Sequence, residues 1–172
     1  SLVIALIGWR DDVRSLSPLF RFTAHIAVAT CAVAVWGTFD RLALPGFGEW
    51  ALSPAAAAFV TVLWLVGLVN AYNFMDGIDG VAAGQAVIAG GLWAWACGSA
   101  VPLVTISGVL IAAASAGFLW HNRPPARIFL GDSGSLFIGF FLAVLSVESS
   151  IKSTTVVLFM VPLCALAVPI ID

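Results

Sequence analysis

The sequence predicts an all-α protein, a polytopic bundle of transmembrane helices. Three observations predict it. The 172 residues are 62% hydrophobic and only 9% charged, with a mean hydropathy of +1.09, whereas soluble domains carry roughly 25% charged residues. The apolar residues fall in long runs near the ~20 residues that cross a bilayer as a helix. The polar residues gather between those runs. Strands are not expected, because an open sheet leaves its backbone unsatisfied in lipid and the runs are too long for barrel strands.

The elements follow in order. Residues 1–8 (SLVIALIG) read as a partial span. The chain starts there without Met and stops at Asp172 on the heels of another apolar run, so it is read as one transmembrane catalytic domain, 1–172, truncated at both ends. The first run lacks the basic flank and cleavage site of a signal peptide. Further spans are expected at 19–37, 53–69, 81–97, 103–120, 130–147 and 154–171. The second of these opens on an alanine run at 55–58, and the fifth overlaps a polar motif at its start. Cys31, Cys97 and Cys164 each lie in an apolar run without metal-ligand spacing, which reads as small buried hydrophobes. His25 inside a span and His121 at a span end read as satisfied bundle residues rather than ligands.

The connections alternate between two sides. Side one carries Arg10, Arg14, Arg21, Arg123 and Arg127 in or beside its loops, and side two carries Arg41 and Lys152. Five against two places side one in the cytoplasm. Asp11, Asp12, Asp76, Asp79, Asp132 and Asp172 also fall on side one, against Asp40, Glu49 and Glu148 on side two. Acids at membrane borders are costly unless something uses them. The net charge of −2 and the lack of any basic run exclude a nucleic-acid partner.

Three motifs on side one carry the chemistry. The first is GWRDDVRSLSP at 8–18. Asp11 and Asp12 point about 100° apart if helical, so they share a ligand only at a loop–helix junction; a solvated loop of alternating charges is the plainer account. The second is NAYNFMDGIDGVAAG at 70–84, where Asn70, Asn73, Asp76 and Asp79 recur every third residue. On a helix each step turns by about −60°, so neighbouring members share a side. A capped polar turn would explain one or two of these side chains, not four. The third is HNRPPARIFLGDSGSLFIGF at 121–140, with Arg123 and Arg127 for phosphate oxygens and Phe129 three residues before Asp132. Backbone N–H groups at the helix start attract phosphate, although N-capping by Asp132 or Ser133 is the ordinary alternative. Carboxylates and amides suit Mg²⁺ bridged to substrate phosphates, arginines suit a diphosphate, and an aromatic suits a base. The combination points to phosphoryl transfer between a nucleotide-linked donor and a lipid.

At these residues the sequence resembles the polyprenyl-phosphate N-acetylhexosamine-1-phosphate transferases, glycosyltransferase family 4. DD at 11–12, NxxNxxDGxDG at 70–80 and FxGDxGS at 129–135 match in the family's order. The wording NFMDGIDG with RPPARIFLGDSGS looks most like the branch that initiates O-antigen and other surface polysaccharides. The resemblance implies a Mg²⁺-dependent transfer (with Mn²⁺ as a substitute ion) of a sugar phosphate from a UDP-N-acetyl sugar to a polyprenyl phosphate, at the cytoplasmic face of a bacterial inner membrane. It implies that Asp132 binds the metal with Asn73 beside it. Asp79 would read the uracil edge and Phe129 pack on the ring. Asn70, Asp76 and Asn122 would be further active-site positions, Asp11 and Asp12 would lie near the acceptor phosphate, and Arg123 and Arg127 would hold phosphate. A homodimer is compatible with it. The family's leading helices and late histidine loop are missing from this chain, so an incomplete site is expected. A cation-coupled transporter would place acids at mid-span or at broken helices, and here they cluster at one face. A CDP-alcohol transferase would join DG to AR, whereas DG at 76–77 is followed by IDGVAAG.

Overall fold

The computed structural model describes residues 1–44 and 48–152. The described chain forms six helices: α1 (Leu2–Val13), α2 (Pro18–Trp36), α3 (Pro54–Met75), α4 (Val81–Cys97), α5 (Pro102–Asn122) and α6 (Gly131–Lys152). The expected span at 154–171 and Asp172 lie outside the described residues. Four helices, α2, α3, α5 and the 131–149 part of α6, are long and apolar enough to cross a membrane, and α4 is a shorter apolar helix of 17 residues. The protein is a multi-pass membrane helical bundle.

The helix starts are written locally. Ser17–Pro18 and Ser53–Pro54 open α2 and α3. Each serine hydroxyl accepts the N–H of the third residue on, Phe20 at 3.3 Å and Ala56 at 3.4 Å. Each proline occupies the first helical position, where its missing N–H costs nothing. Pro102 does the same for α5.

Helix α6 is the axis of the bundle. Of its apolar stretch 61% is buried, against 17% for α2. It packs on α3 and α1 most extensively and also meets α2, α4 and α5, while α4 lies along α5. The α4–α5 crossing is close because Gly90 and Gly108 face each other: a Cβ on Gly90 would lie 2.5 Å from the Gly108 carbonyl oxygen. Small residues allow such approach where lipid gives no hydrophobic drive between helices. Trp64 of α3 donates its indole N–H to Ser146 Oγ of α6 at 2.7 Å. The core holds Ile4, Leu65, Val69, Tyr72, Trp93, Leu136, Phe140 and Leu142.

Two expectations are corrected. The 38–52 connection contains an antiparallel hairpin, β1 (Arg41–Leu44) paired with β2 (Gly48–Ala51), Arg41 opposite Ala51. The exclusion of strands holds for the hydrocarbon region; a hairpin in a connection leaves its edges to water. Cys31 is exposed on α2, whereas Cys97 is buried, and Cys164 lies outside the described residues. A thiol on a lipid-facing helix surface needs no protein cover to stay out of water. Exposed tryptophans sit near the bundle ends: Trp9 and Trp120 at one, Trp36, Trp50 and Trp95 at the other. That is the interfacial distribution of a membrane protein.

Candidate active site

The C-terminal ends of α1, α3 and α5 meet the N-terminal ends of α2, α4 and α6 at one end of the bundle. Most of the described polar residues of the three motifs gather there. They form two assemblies.

The first is centred on Asp132, in the first turn of α6. Its Oδ1 accepts the Asn73 amide N–H at 2.7 Å, and its Oδ2 accepts from Arg21 Nη1 at 3.2 Å. The same Asn73 amide donates to Ser135 Oγ at 2.8 Å. Arg21 Nη1 also binds Asp11 Oδ2 at 2.7 Å, and Asp11 Oδ1 accepts the Leu16 N–H. Asp12 accepts the Asp132 N–H at 2.9 Å and the Ser133 N–H at 3.0 Å, one on each oxygen. The site therefore joins α1, α2, α3 and α6 through Asp11, Asp12, Arg21, Asn73, Asp132 and Ser135.

Two glycines make this approach possible. Gly131 enters α6 at φ +63, and a Cβ there would come within 3.0 Å of the Asp12 carboxylate. A Cβ on Gly8 of α1 would lie 2.4 Å from the Asp132 carbonyl oxygen and 2.7 Å from the Ser133 nitrogen. Backbone meets backbone there with no room for a methyl group.

The second assembly holds the 123–130 loop. Asp79 Oδ2 accepts the Ala126 N–H at 2.9 Å. Buried Asn122 accepts the Gly80 N–H at 3.0 Å and donates to the Ile128 carbonyl at 2.8 Å. Arg123 stacks its guanidinium over the Trp120 ring, 4.5 Å from the centroid. Arg127 is exposed and donates its backbone N–H to the His121 carbonyl at 2.9 Å. Phe129 is 72% exposed. Among the described residues neither Arg123 nor Arg127 pairs with the carboxylates.

Asp76 caps α3 between the two assemblies. Burial, then the charges of Asp132 and Asp12, push its carboxyl up to about 6.

Several sequence expectations need correction here. The Asn70–Asp79 series does not share one helix: α3 ends at Met75 and the chain turns through Gly77 and Gly80 into α4. Asn73 thus goes to Asp132 and Asp79 to the loop. Asn70 is exposed, returns its amide N–H to the Val66 carbonyl at 2.7 Å and takes no part in the Asp132 cluster. Asp11 and Asp12 both lie in the last turn of α1 and serve different partners, as their angular separation requires. The first amides of α6 are not free for phosphate, because Asp12 holds two of them; a carboxylate is a favourable occupant of that positive helix end. The α6 cap is therefore Asp12, from another helix, rather than Asp132 or Ser133. His25 is buried in α2 beside Asn70, and neither ring nitrogen has a hydrogen-bond partner among the described residues. Sequence reasoning counted Arg21 only as a membrane-border cation and passed over Ser135 and Gly8. The signal for Arg21 was available: a charge inside the first turn of an apolar span marks a functional position.

A residue-family model for glycosyl transferase family 4 matches residues 1–150. The chain belongs to glycosyl transferase family 4. Among the relatives of this family 4 chain is a "Probable undecaprenyl-phosphate N-acetylglucosaminyl 1-phosphate transferase" of Bacillus subtilis, 38% identical over all of this chain and 48% of the relative. A decaprenyl-phosphate N-acetylglucosaminephosphotransferase of Mycobacterium tuberculosis is 38% identical over 86% of the chain and 39% of that protein. A phospho-N-acetylmuramoyl-pentapeptide-transferase of Chlamydia muridarum is 36% identical over 86% of the chain and 50% of that protein. The family 4 chain thus spans about half the length or less of these curated relatives.

The groups at Asp132 that can ligate a cation are oxygens, those of the carboxylates and the Ser135 hydroxyl, while Asn73 and Arg21 turn N–H groups to them. No group of three or more His, Cys, Asp or Glu converges as a metal cage among the described residues. One or two carboxylates completed by phosphates and water is how Mg²⁺ is ordinarily held in phosphoryl-transfer sites. The residues therefore fit that ion.

Proposed function

We propose that this chain is the central part of an enzyme that transfers an N-acetylhexosamine-1-phosphate from a UDP-sugar to a polyprenyl phosphate, releasing UMP. The observation that carries the reading is the convergence of Asp11, Asp12, Asn73 and Asp132, one or two from each of the three motifs, at one end of a membrane bundle of this family. Two of the relatives named above act on undecaprenyl or decaprenyl phosphate by their names, which supports a lipid phosphate acceptor. N-acetylglucosamine is the first sugar to test for the same reason. We place the product at the start of a lipid-linked surface polysaccharide, and the site on the arginine-rich cytoplasmic face.

The reaction needs little covalent help from the protein. An oxygen of the lipid phosphate attacks the β-phosphorus of the donor. The new bond is O–P; the bond from that phosphorus to the bridging oxygen breaks, and its electron pair leaves with UMP. A phosphate monoester has a second pKa near ~6, so the attacking group is largely dianionic at neutral pH. A strong general base is not needed. The geometry of the α1 pair favours orientation over proton removal: both Asp12 oxygens and both Asp11 oxygens already accept N–H donors. The same commitment favours direct transfer over a phospho-aspartate. Asp132, with Asn73 at its side, would hold Mg²⁺, which when bound neutralises charge on the donor diphosphate. Asp79 and the exposed ring of Phe129 belong to the loop assembly and would receive the uracil. Arg123 and Arg127, on the same loop, would meet the diphosphate.

The test is UMP release by the full-length protein in detergent, given undecaprenyl phosphate and a panel of UDP-N-acetyl sugars, with Mg²⁺ or with EDTA. Release that requires both the lipid phosphate and Mg²⁺ is the expected result, and it names the sugar. Folded protein that releases no UMP with any sugar would overturn the reading.

A further inference from the structure

Arg21 holds the two acids that the proposed reaction needs most. A single atom, Nη1, lies 2.7 Å from Asp11 Oδ2 and 3.2 Å from Asp132 Oδ2. Every other oxygen of Asp11, Asp12 and Asp132 is held by a backbone N–H or by the Asn73 amide. Asp132 Oδ2 is therefore the one oxygen of the Asp132 carboxylate that a long, charged side chain alone occupies.

The two contacts are unequal. Asp11 is 6% exposed in its side chain and carries the shorter contact; Asp132 is 27% exposed and carries the longer one. Arg21 itself is 36% exposed. Its guanidinium has five N–H donors in a fixed fork, and both contacts draw on Nη1. A divalent cation and a guanidinium repel each other and compete for the same carboxylate oxygen. If the cation takes Asp132, the cheaper bond for Arg21 to give up is the longer, more exposed one.

Resting on the reading of the site given above, we propose that Arg21 neutralises Asp132 until a divalent cation replaces it. The guanidinium then stays anchored on Asp11 and turns its free N–H groups to the acceptor phosphate. The exchange couples cation loading to formation of the phosphate subsite. It also keeps buried Asp11 and partly buried Asp132 compensated until the cation arrives, since uncompensated charge away from water is costly. A guanidinium suits the second role because its fork matches two phosphate oxygens at once.

The experiment is a Mn²⁺ titration of the full-length protein followed by electron paramagnetic resonance, for wild type, Arg21→Gln and Arg21→Lys. Removing the competing charge should tighten Mn²⁺ binding roughly tenfold in Arg21→Gln, as expected for loss of one nearby like charge in partly solvated surroundings. The KM for undecaprenyl phosphate should rise while the KM for the UDP-sugar stays put. Arg21→Lys keeps the α1–α2 ion pair but one ammonium serves both acids poorly, so its Mn²⁺ affinity should fall between the two; it carries the test if Arg21→Gln does not fold. Unchanged or weaker Mn²⁺ binding in a folded variant would overturn the exchange and assign Arg21 to holding helices together. Wild type that binds no Mn²⁺ would overturn both the exchange and the metal assignment. Tighter binding in the variant, with no UMP release from wild type, would uphold the exchange and sink the transfer reaction alone.

Discussion

Asp12 caps the helix that carries Asp132. Its Oδ1 accepts the Asp132 N–H at 2.9 Å and its Oδ2 the Ser133 N–H at 3.0 Å. One carboxylate thereby fixes both the start of α6 and the direction in which the Asp132 side chain leaves it. Loss of a helix cap costs about 0.5–2 kcal/mol, and this one also ties α1 to α6. Asp12→Ala should lower the melting temperature in detergent and cut UMP release by at least about tenfold, since small misplacement of a positioned group is expensive. Asp12→Asn keeps one acceptor oxygen and should lose less stability. An Asp12→Ala protein with wild-type stability would show that the cap carries no weight.

Gly8 sets how near α1 comes to α6. With the Asp132 and Ser133 backbone 2.4–2.7 Å from the position of its absent Cβ, Gly8→Ala must push the helices apart. Overpacking of this kind costs about 1–3 kcal/mol. Both thermal stability and turnover should fall. Gly67→Ala is the control: nothing lies within 4 Å of a Cβ there, and its melting temperature should match or exceed that of wild type.

Asn73 and Asp132 share a hydrogen bond of 2.7 Å. Asn73→Asp turns it into a contact between two carboxylates. Like charges so close disfavour ionisation of both. The variant should melt below wild type in EDTA and recover part of the loss when Mg²⁺ or Mn²⁺ is added, because a ligand that binds only the folded state stabilises it by mass action. Melting curves that ignore the cation would argue against a metal at this pair. Asp132→Asn removes the anionic ligand and should reduce turnover on the order of 100-fold or more. Near-normal turnover would remove Asp132 from the metal role.

Asp76 provides a pH signature. Its folded-state pKa stands at about 6 because of burial and then of the Asp132 and Asp12 charges, above the ~3.9 of an unfolded aspartate. The folded protein therefore binds a proton more readily than the unfolded chain. Ionised Asp76 weakens the fold at neutral pH, and the penalty fades as pH falls through about 6 toward ~4. Asp76→Asn never bears it. The variant should melt above wild type at pH 7–8, and the gap should close between pH 6 and 4. A gap that stays constant over that range would rule out Asp76 as the titrating group.

The sequence made the bundle legible because membrane insertion is decided locally. Runs such as 53–69 and 103–120 fall on α3, with Ser53 as its cap, and on α5, since each backbone must satisfy itself in lipid and each apolar side chain prefers it. The side-one acids were legible as a group for the same reason. Their partners were not. Asp12 reaches across 120 positions to Asp132, Arg21 across 111 and Asn73 across 59; no local period reports such distances. Asp79 and Asn122 read as ligand-facing residues, yet each spends hydrogen bonds on the 123–130 loop and the turn before α4. Composition and spacing alone determined that this protein is a helical membrane bundle with its polar chemistry at one end. Only the packing of α1, α2 and α3 around α6 decided that Asp12 caps, that Arg21 bridges and that Asn73 supports Asp132, because hydrogen bonds are made between atoms a few ångström apart, and that proximity is set by the way the helices cross.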